Sequence, residues 1–505
     1  MATWLKKAVF YEIYPNSFLD TNGDGYGDFK GITSKLDYIK SLGCNAIWIN
    51  PIYDSPFRDG GYDVRDFFKV SKRFGILDDF KELLKVAAKL EIRICLDLVP
   101  GHASEENPLF IKSASPIRNE YSDMFIWNKS PWELPDGYRF ISGRYERNGN
   151  YLVNFFSTQP AINYGFYEIT DPNWQLSYQD PRCLKQRNYL KQIIRYWFDL
   201  GVAGFRVDMA DSLVKNDPDK VATIALWQEV LQEIKKDYSE HIFISEWSSP
   251  RAIKAGFDVD FILDHYHNFL NRLVRYEETG NHSVFDALGR GDAKKCFEVF
   301  IKWFQEIKDL GDIGIITCNH DTPRLGGFYS VPQLKIIYTT LFMLPGIPFL
   351  YYGDEIGMKY QKDLPSKECG FQRTGSRTPM QWNQNKHRGF SVADDIFLPV
   401  DTTSEIDVAT QEDDPNSLLN VVRESLRFRA SHEDILGKDF QFVKADRGLF
   451  SFKRHKLLVI VNPLQDPKTY RIKSAQKIIY QVNEATNENG LITLKPFSLV
   501  IISEE

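Results

Sequence analysis

Short apolar runs bounded by turn residues alternate with stretches of helical period through the first 352 residues of the chain. Eight runs read as strands, at residues 8–14, 46–50, 92–98, 204–208, 242–246, 259–263, 314–318 and 348–352. Each has the length of a buried strand, and most are followed by a helical pattern. The clearest helix lies over 182–200, where Leu190, Ile193, Ile194 and Trp197 recur at helical spacing and Gly201 supplies the stop. A second spans 78–90, with Asp78 and Asp79 as candidate caps and Phe80, Leu83, Leu84, Ala87 and Leu90 on one face. Eight strands in this alternation predict an α/β fold, a closed (β/α)8 barrel.

Two stretches break the rhythm. Residues 101–177 are rich in aromatics, Asn, Gly and Pro without a sustained helical period, which predicts a loop-rich insertion after the third strand. Beyond the eighth strand a polar segment, 359–412, leads to a helix that Asp414 would cap with Pro415 at its first position. From residue 431 the texture changes to short β-branched and aromatic runs between charged or Asn/Gly turns, an antiparallel sandwich. The expected division is therefore barrel 1–100, insertion 101–177, barrel 178–430 and sandwich 431–505.

A barrel gathers the C-terminal ends of its strands into one mouth, so carboxylates that close separate apolar runs become neighbours. GVAGFRVD ends on Asp208, HIFISEW carries Glu246, and DIGIITCNHD ends on Asp321. Paired carboxyl groups are what glycosidic bond cleavage needs, one to protonate the leaving oxygen and one to meet the developing cation. A carboxylate at a strand end often only caps the next helix, and a lone histidine is often structural. Capping does not, however, require Arg, Asp, Glu, His and Asp in that order at the ends of strands three, four, five and seven.

Composition narrows the alternatives. A length of 505 residues exceeds one ordinary core, and a net charge of −6 without a basic block argues against nucleic acid as partner. The start, MATWLKKAVFYEIYPNSF, lacks a signal-peptide core, and no segment is apolar for long enough to cross a bilayer. Of six cysteines, Cys44, Cys95 and Cys318 lie in or beside apolar runs and read as buried free thiols, so the expectation is a cytoplasmic protein, monomeric by default. Asp20, Asn22, Asp24 and Asp28 place oxygen donors along a Gly-rich loop, with the Tyr26 carbonyl as a fifth, which suits a structural Ca2+ or Mg2+. The glutamate that closes an EF-hand loop is absent, since that place is Ile32.

The words YEIYPNSF, DTNGDGYGDFKGI, GYD, DLVPGH, QPAIN, GFRVD, SEW and NHDTPR stand in the order found in the α-amylase family, glycoside hydrolase family 13. The resemblance runs from residue 8 to the end, and with RTPMQW it is similar to the oligo-1,6-glucosidase and α-glucosidase branch. It implies Asp208 as nucleophile, kept ionised by Arg206 on the same strand face, and Glu246 as acid/base. It implies that Asp321, His102 and His320 bind sugar hydroxyls and that Tyr62 stacks on the ring. It further implies that Asp63, paired with Arg423 of the post-barrel helix, recognises the terminal sugar. Glu246 needs a raised pKa, and its chain neighbours offer no cation to lower it.

Departures from the family pattern are Gly101 before His102 where relatives usually carry Asn, Ala161 in QPAIN, Met209 after the nucleophile, and the added stretch YGFYEITDPNWQLSYQDP. The expected function is a retaining, exo-acting α-glucosidase on short α-gluco-oligosaccharides, working through a glucosyl-enzyme intermediate. A transglycosylase or sugar isomerase would use the same residues. A non-catalytic carbohydrate-binding homologue is the reading from another class.

Overall fold

The computed structural model describes residues 2–263, 268–275, 282–368, 373–446 and 448–504. Eight parallel strands close a barrel: β1 (Phe10–Ile13), β2 (Ala46–Ile49), β3 (Arg93–Leu98), β4 (Gly204–Val207), β5 (Ile242–Ser245), β6 (Val259–Phe261), β7 (Asp312–Ile316) and β8 (Ile347–Tyr351). Each pairs with its neighbours in sequence, and β1 closes on β8. These are the eight expected runs. Both faces of the strands are covered, which is why they read as continuous apolar segments rather than as alternation.

The helices form where periodicity placed them, with small differences at their starts. Helix α1 (Leu77–Lys89) begins one residue early, where the Asp79 carboxylate accepts the Ile76 N–H at 3.0 Å. Helix α2 (Pro181–Asp199) carries Pro181 at its first position and Asp180 as cap, accepting from the Arg182 N–H at 2.9 Å. Helix α3 (Leu418–Ser431) is capped by Ser417, not by Asp414. Asp414 and Pro415 form the turn before it, in which the Ser417 N–H reaches the Asp414 carbonyl.

The insertion leaves β3 and returns at α2. Its only ladder among the described residues is a two-residue pair, Phe140–Ile141 against Tyr151–Leu152. Aromatic packing replaces regular structure, with Phe110 against Phe125, Trp127, Tyr145 and Tyr151. Its returning segment is tied to its own first residues, which leave β3: the Ile162 N–H reaches the Gly101 carbonyl and the Glu105 N–H reaches the Thr158 carbonyl. That seam sets the insertion over the barrel mouth.

The C-terminal region is the expected pair of antiparallel sheets. Five strands, β9 (Gln441–Asp446), β10 (Leu449–Arg454), β11 (Leu457–Asn462), β13 (Lys477–Val482) and β16 (Ser498–Ser503), form one sheet, and β12 (Lys468–Arg471), β14 (Ala485–Glu488) and β15 (Leu491–Leu494) the other. Arg454, fully buried, donates to the carbonyls of Met343, Ile435 and Gly437 and so fastens this region to the barrel. Cys44, Cys95, Cys183, Cys296 and Cys318 are free and buried, and Cys369 lies outside the described residues. Among the described residues no helix is long and apolar enough to cross a membrane.

Candidate active site

The register of β4 against β5 builds the centre of the site. Arg206 stands opposite Ile244 and Val207 opposite Ser245, and the ladder continues one step, with the Glu246 N–H donating to the Val207 carbonyl at 3.1 Å. Asp208 and Glu246 are therefore register neighbours at the ends of adjacent strands, about 4.7–4.9 Å apart in backbone spacing. Retaining glycosidases hold their carboxyls about 5–5.5 Å apart, and inverting enzymes about 6.5–9.5 Å. Adjacent strand ends and a shared guanidinium bring the two acids to one cleft.

Arg206 joins the two acids. Its Nη1 lies 3.1 Å from Asp208 Oδ1 and 2.6 Å from Asp97 Oδ1, and its Nη2 lies 2.5 Å from Glu246 Oε1. The chain neighbours of Glu246 offer no cation, but a guanidinium reaches it from the next strand, which adjacency in sequence does not report. Burial nevertheless raises the Glu246 pKa, against the lowering effect of Arg206 and with help from the charge of Asp321. Burial and the charge of Glu246 likewise push Asp208 up, opposed by Arg206. The two acids titrate as a pair, and burial of both favours one shared proton over two charges.

The third carboxylate is in the opposite state. Burial alone would raise Asp321, but His320, Arg373 and Arg377 outweigh it and hold the group well below the usual carboxylate range. Arg373 Nη1 and Arg377 Nη2 reach Asp321 Oδ1 at 2.6 and 2.9 Å. His320 stacks on Tyr62, with ring centroids 5.4 Å apart, and its Nε2 meets the Tyr62 hydroxyl at 2.8 Å. Its Nδ1 meets Glu12 Oε1 at 2.8 Å.

His102 sits at the insertion seam, opposite Ala161. Burial lowers its pKa from 6.5 to about 4. Between those two values the unfolded chain binds a proton that the folded chain does not, so stability should fall as pH drops from 6.5 towards 4, by up to about 3 kcal/mol. His320 is depressed as well and acts in the same direction. Chemical denaturation across this range should show His102→Gln with a shallower acid slope than the parent protein, and equal slopes would contradict the assignment.

Together Asp59, Tyr62, His102, Phe155, Asp208, Met209, Asp211, Glu246, Trp247, Leu263, Asp321 and Arg373 enclose a cavity of about 310 Å³. That is the low end of small-ligand pockets, about 300–1,000 Å³. An α-amylase catalytic-domain model matches residues 12–439, most of the chain. The chain belongs to the α-amylase family. It is 30% identical to an oligo-1,6-glucosidase of Parageobacillus thermoglucosidasius, covering 96% of this chain and 94% of that one. It is 31% identical to the trehalose synthase/amylase TreS of Mycolicibacterium smegmatis, covering 85% of this chain and 77% of that one. Among solved structures, an isomaltulose synthase mutant of Erwinia rhapontici NX5 bound to D-glucose superposes with a TM-score of 0.83 at 25% identity, covering 100% of this chain and 99% of that one.

Within this α-amylase-family frame the structure moves two expected residues out of the pocket. Asp63 is fully buried and accepts from Ser55 Oγ and the N–H groups of Arg58 and Asp59, so it braces the turn in front of the site. Burial raises it to about 6. Arg423 grips Glu412 through both Nη atoms, at 2.9 and 3.0 Å, and also bonds Ser41, which fixes α3 to the outside of the barrel. The pair that lines the pocket is Asp59 with Arg373, and Gln159 holds the other Asp59 oxygen at 2.8 Å. The signal was the RTGSR run, whose two arginines flank a single helical turn, Thr374–Ser376. Asp97 was also missed, although the β3–β4 register sets it opposite Arg206.

The expected ion loop is closed by its own hydrogen bonds. Asp20 accepts from the N–H groups of Asn22, Gly23 and Gly25 and from Ser391 Oγ, while Asp28 caps Phe29–Ser34 and binds Thr21. Asn22 and Asp24 accept from the amides two residues on, those of Asp24 and Tyr26. Among the described residues no three His, Cys, Asp or Glu are grouped to hold a metal. Each Asp20 oxygen already accepts two donors, whereas Asn22 Oδ1 and each Asp24 oxygen accept one and keep a lone pair for a cation.

Proposed function

We propose that the protein is a retaining, exo-acting α-glucosidase of short α-gluco-oligosaccharides. The observation that carries this reading is the single guanidinium of Arg206 between Asp208 and Glu246, at the ends of adjacent barrel strands. In the substrate complex Glu246 holds the shared proton and delivers it to the leaving oxygen, while Asp208 attacks the anomeric carbon. Asp208 Oδ2 is buried without a hydrogen-bond partner among the described residues, so its lone pairs are uncommitted. Glu246, now ionised, then takes a proton from water, which displaces Asp208 from the glucosyl group. Asp321, held ionised by two arginines, accepts from sugar hydroxyls and supports the positive charge of the transition state. Arg373, paired with Asp59 and Asp321, lines the same pocket and would hold hydroxyls of a terminal sugar, which fits cleavage at a chain end.

A second reading is glucosyl transfer. Phe155, Met209, Trp247 and Leu263 give the pocket an apolar wall, which would retain a released sugar and shed water. Incubation with maltose, isomaltose, sucrose and trehalose separates the two. Free glucose accumulating from at least one of them supports hydrolysis, an isomeric disaccharide as main product supports transfer, and no turnover of any contradicts both.

A further inference from the structure

We propose that Lys215 is a positioning residue that acts through Asn154 to decide which ring nitrogen of His102 carries the proton, so that His102 presents an N–H to the bound sugar. The proposal deepens the reading of the pocket as a sugar site. Its basis is a chain of donors and acceptors that runs in one direction only.

Lys215 lies on the loop after β4; burial lowers its pKa to about 7, and below that pH its ammonium has donors but no acceptor. Nζ meets Asn154 Oδ1 at 2.7 Å and also binds the Ser212 carbonyl. The Asn154 amide must therefore turn its oxygen to Lys215 and its Nδ2 the other way. Nδ2 stands 3.2 Å from His102 Nδ1 and 3.3 Å from Ser212 Oγ. An amide nitrogen can only donate, so Nδ1 is the acceptor and the imidazole proton sits on Nε2. His102 Nε2 makes no hydrogen bond of good geometry among the described residues, although the Tyr62 backbone interacts with the ring, and His102 lines the catalytic cavity. A bound hydroxyl would complete it.

Gly101 makes this arrangement possible. A Cβ at that position would lie 2.7 Å from Asn154 Nδ2 and 3.3 Å from Ser212 Oγ, so any side chain there would push the amide away. Asn154 belongs to the insertion, His102 to the loop after β3 and Lys215 to the loop after β4. The set thus ties the insertion to the catalytic loops, and Asn154 Nδ2 also touches Met209 Sδ at 3.8 Å. Met209 in turn donates its N–H to Glu246 Oε2 at 2.9 Å.

The test is nitrogen NMR of the full-length protein carrying 15N-histidine, with the His102 signals assigned by their loss in His102→Gln. The parent protein should show the Nε2–H tautomer at His102, and an Nδ1–H tautomer there overturns the proposal. Asn154→Asp replaces the donor with an acceptor of the same shape and should move the proton to Nδ1, with kcat/KM falling about tenfold as one sugar contact is lost. Lys215→Met should give mixed tautomers and a similar loss, and Lys215→Arg should restore both. Unchanged Nε2–H signals in Asn154→Asp and Lys215→Met overturn the proposal even if activity falls, since packing damage alone lowers rates. The tautomers are read without substrate, so a parent protein that cleaves no glucoside would sink the functional reading and leave this one to be judged separately.

Discussion

Asp208→Asn should lower kcat on an α-glucoside by about 10⁴-fold or more, as removal of a covalent nucleophile does, while the melting temperature holds or rises. The amide keeps the shape of the carboxylate but cannot form the glucosyl ester. Its effect on stability follows from the surroundings. Asp208 shares its neighbourhood with Asp97 and Glu246 around one guanidinium, and its Oδ2 finds no donor among the described residues. Burial and the charge of Glu246 already disfavour its ionised form, so removing the charge relieves repulsion. Steady-state kinetics with a nitrophenyl glucoside, beside a thermal melt, reads both quantities. A variant that keeps a tenth of the parent kcat would remove Asp208 from the chemistry.

Arg206→Met should destabilise the fold by about 3–5 kcal/mol, because it leaves buried acids without their cation. Arg206 is 1% exposed and Asp97 is fully buried, so water cannot take over the lost contacts. The guanidinium also lies over the rings of Trp48 and Tyr62, with its carbon 5.2 and 5.7 Å from their centroids. Arg206→Lys separates charge from geometry. An ammonium retains the charge but lacks the planar fork that reaches Asp97, Asp208 and Glu246 together, so kcat should fall about 100-fold with a smaller loss of stability. Urea denaturation and steady-state rates measure the two effects. A lysine variant with the parent's rate would show that charge alone suffices and that the fork does not set the acids' positions.

The barrel was legible because its strands are buried on both faces and each apolar run ends in a turn. The carboxylates at 208, 246 and 321 were legible for the same reason, since the barrel places strand ends together whatever their distance in sequence. What stayed hidden depends on contacts between strands or across loops. The reach of Arg206 to Glu246 is fixed by the register of β4 on β5, which no local pattern reports. Asp63 and Asp59 stand four residues apart in one turn, and only its folded course shows that Asp59 lines the pocket while Asp63 braces the turn. Arg423 has the spacing of an exposed helix face, and its partner Glu412 lies on a separate short helix. The oxygen-rich loop at 20–28 reads as an ion site in one dimension, and the fold adds Asx turns in which the same side chains accept backbone N–H groups. Gly101 and Asn154, 53 positions apart in the chain, share one small space at the insertion seam.

The account rests on a covalent glucosyl-Asp208 intermediate resolved by attack from the same face as the departed group. Proton NMR of the first glucose released from an α-linked disaccharide, recorded before mutarotation, tests this most directly. The α-anomer should appear first and then relax towards equilibrium. Initial release of the β-anomer would mean single inversion and would contradict the roles given to Asp208 and Glu246.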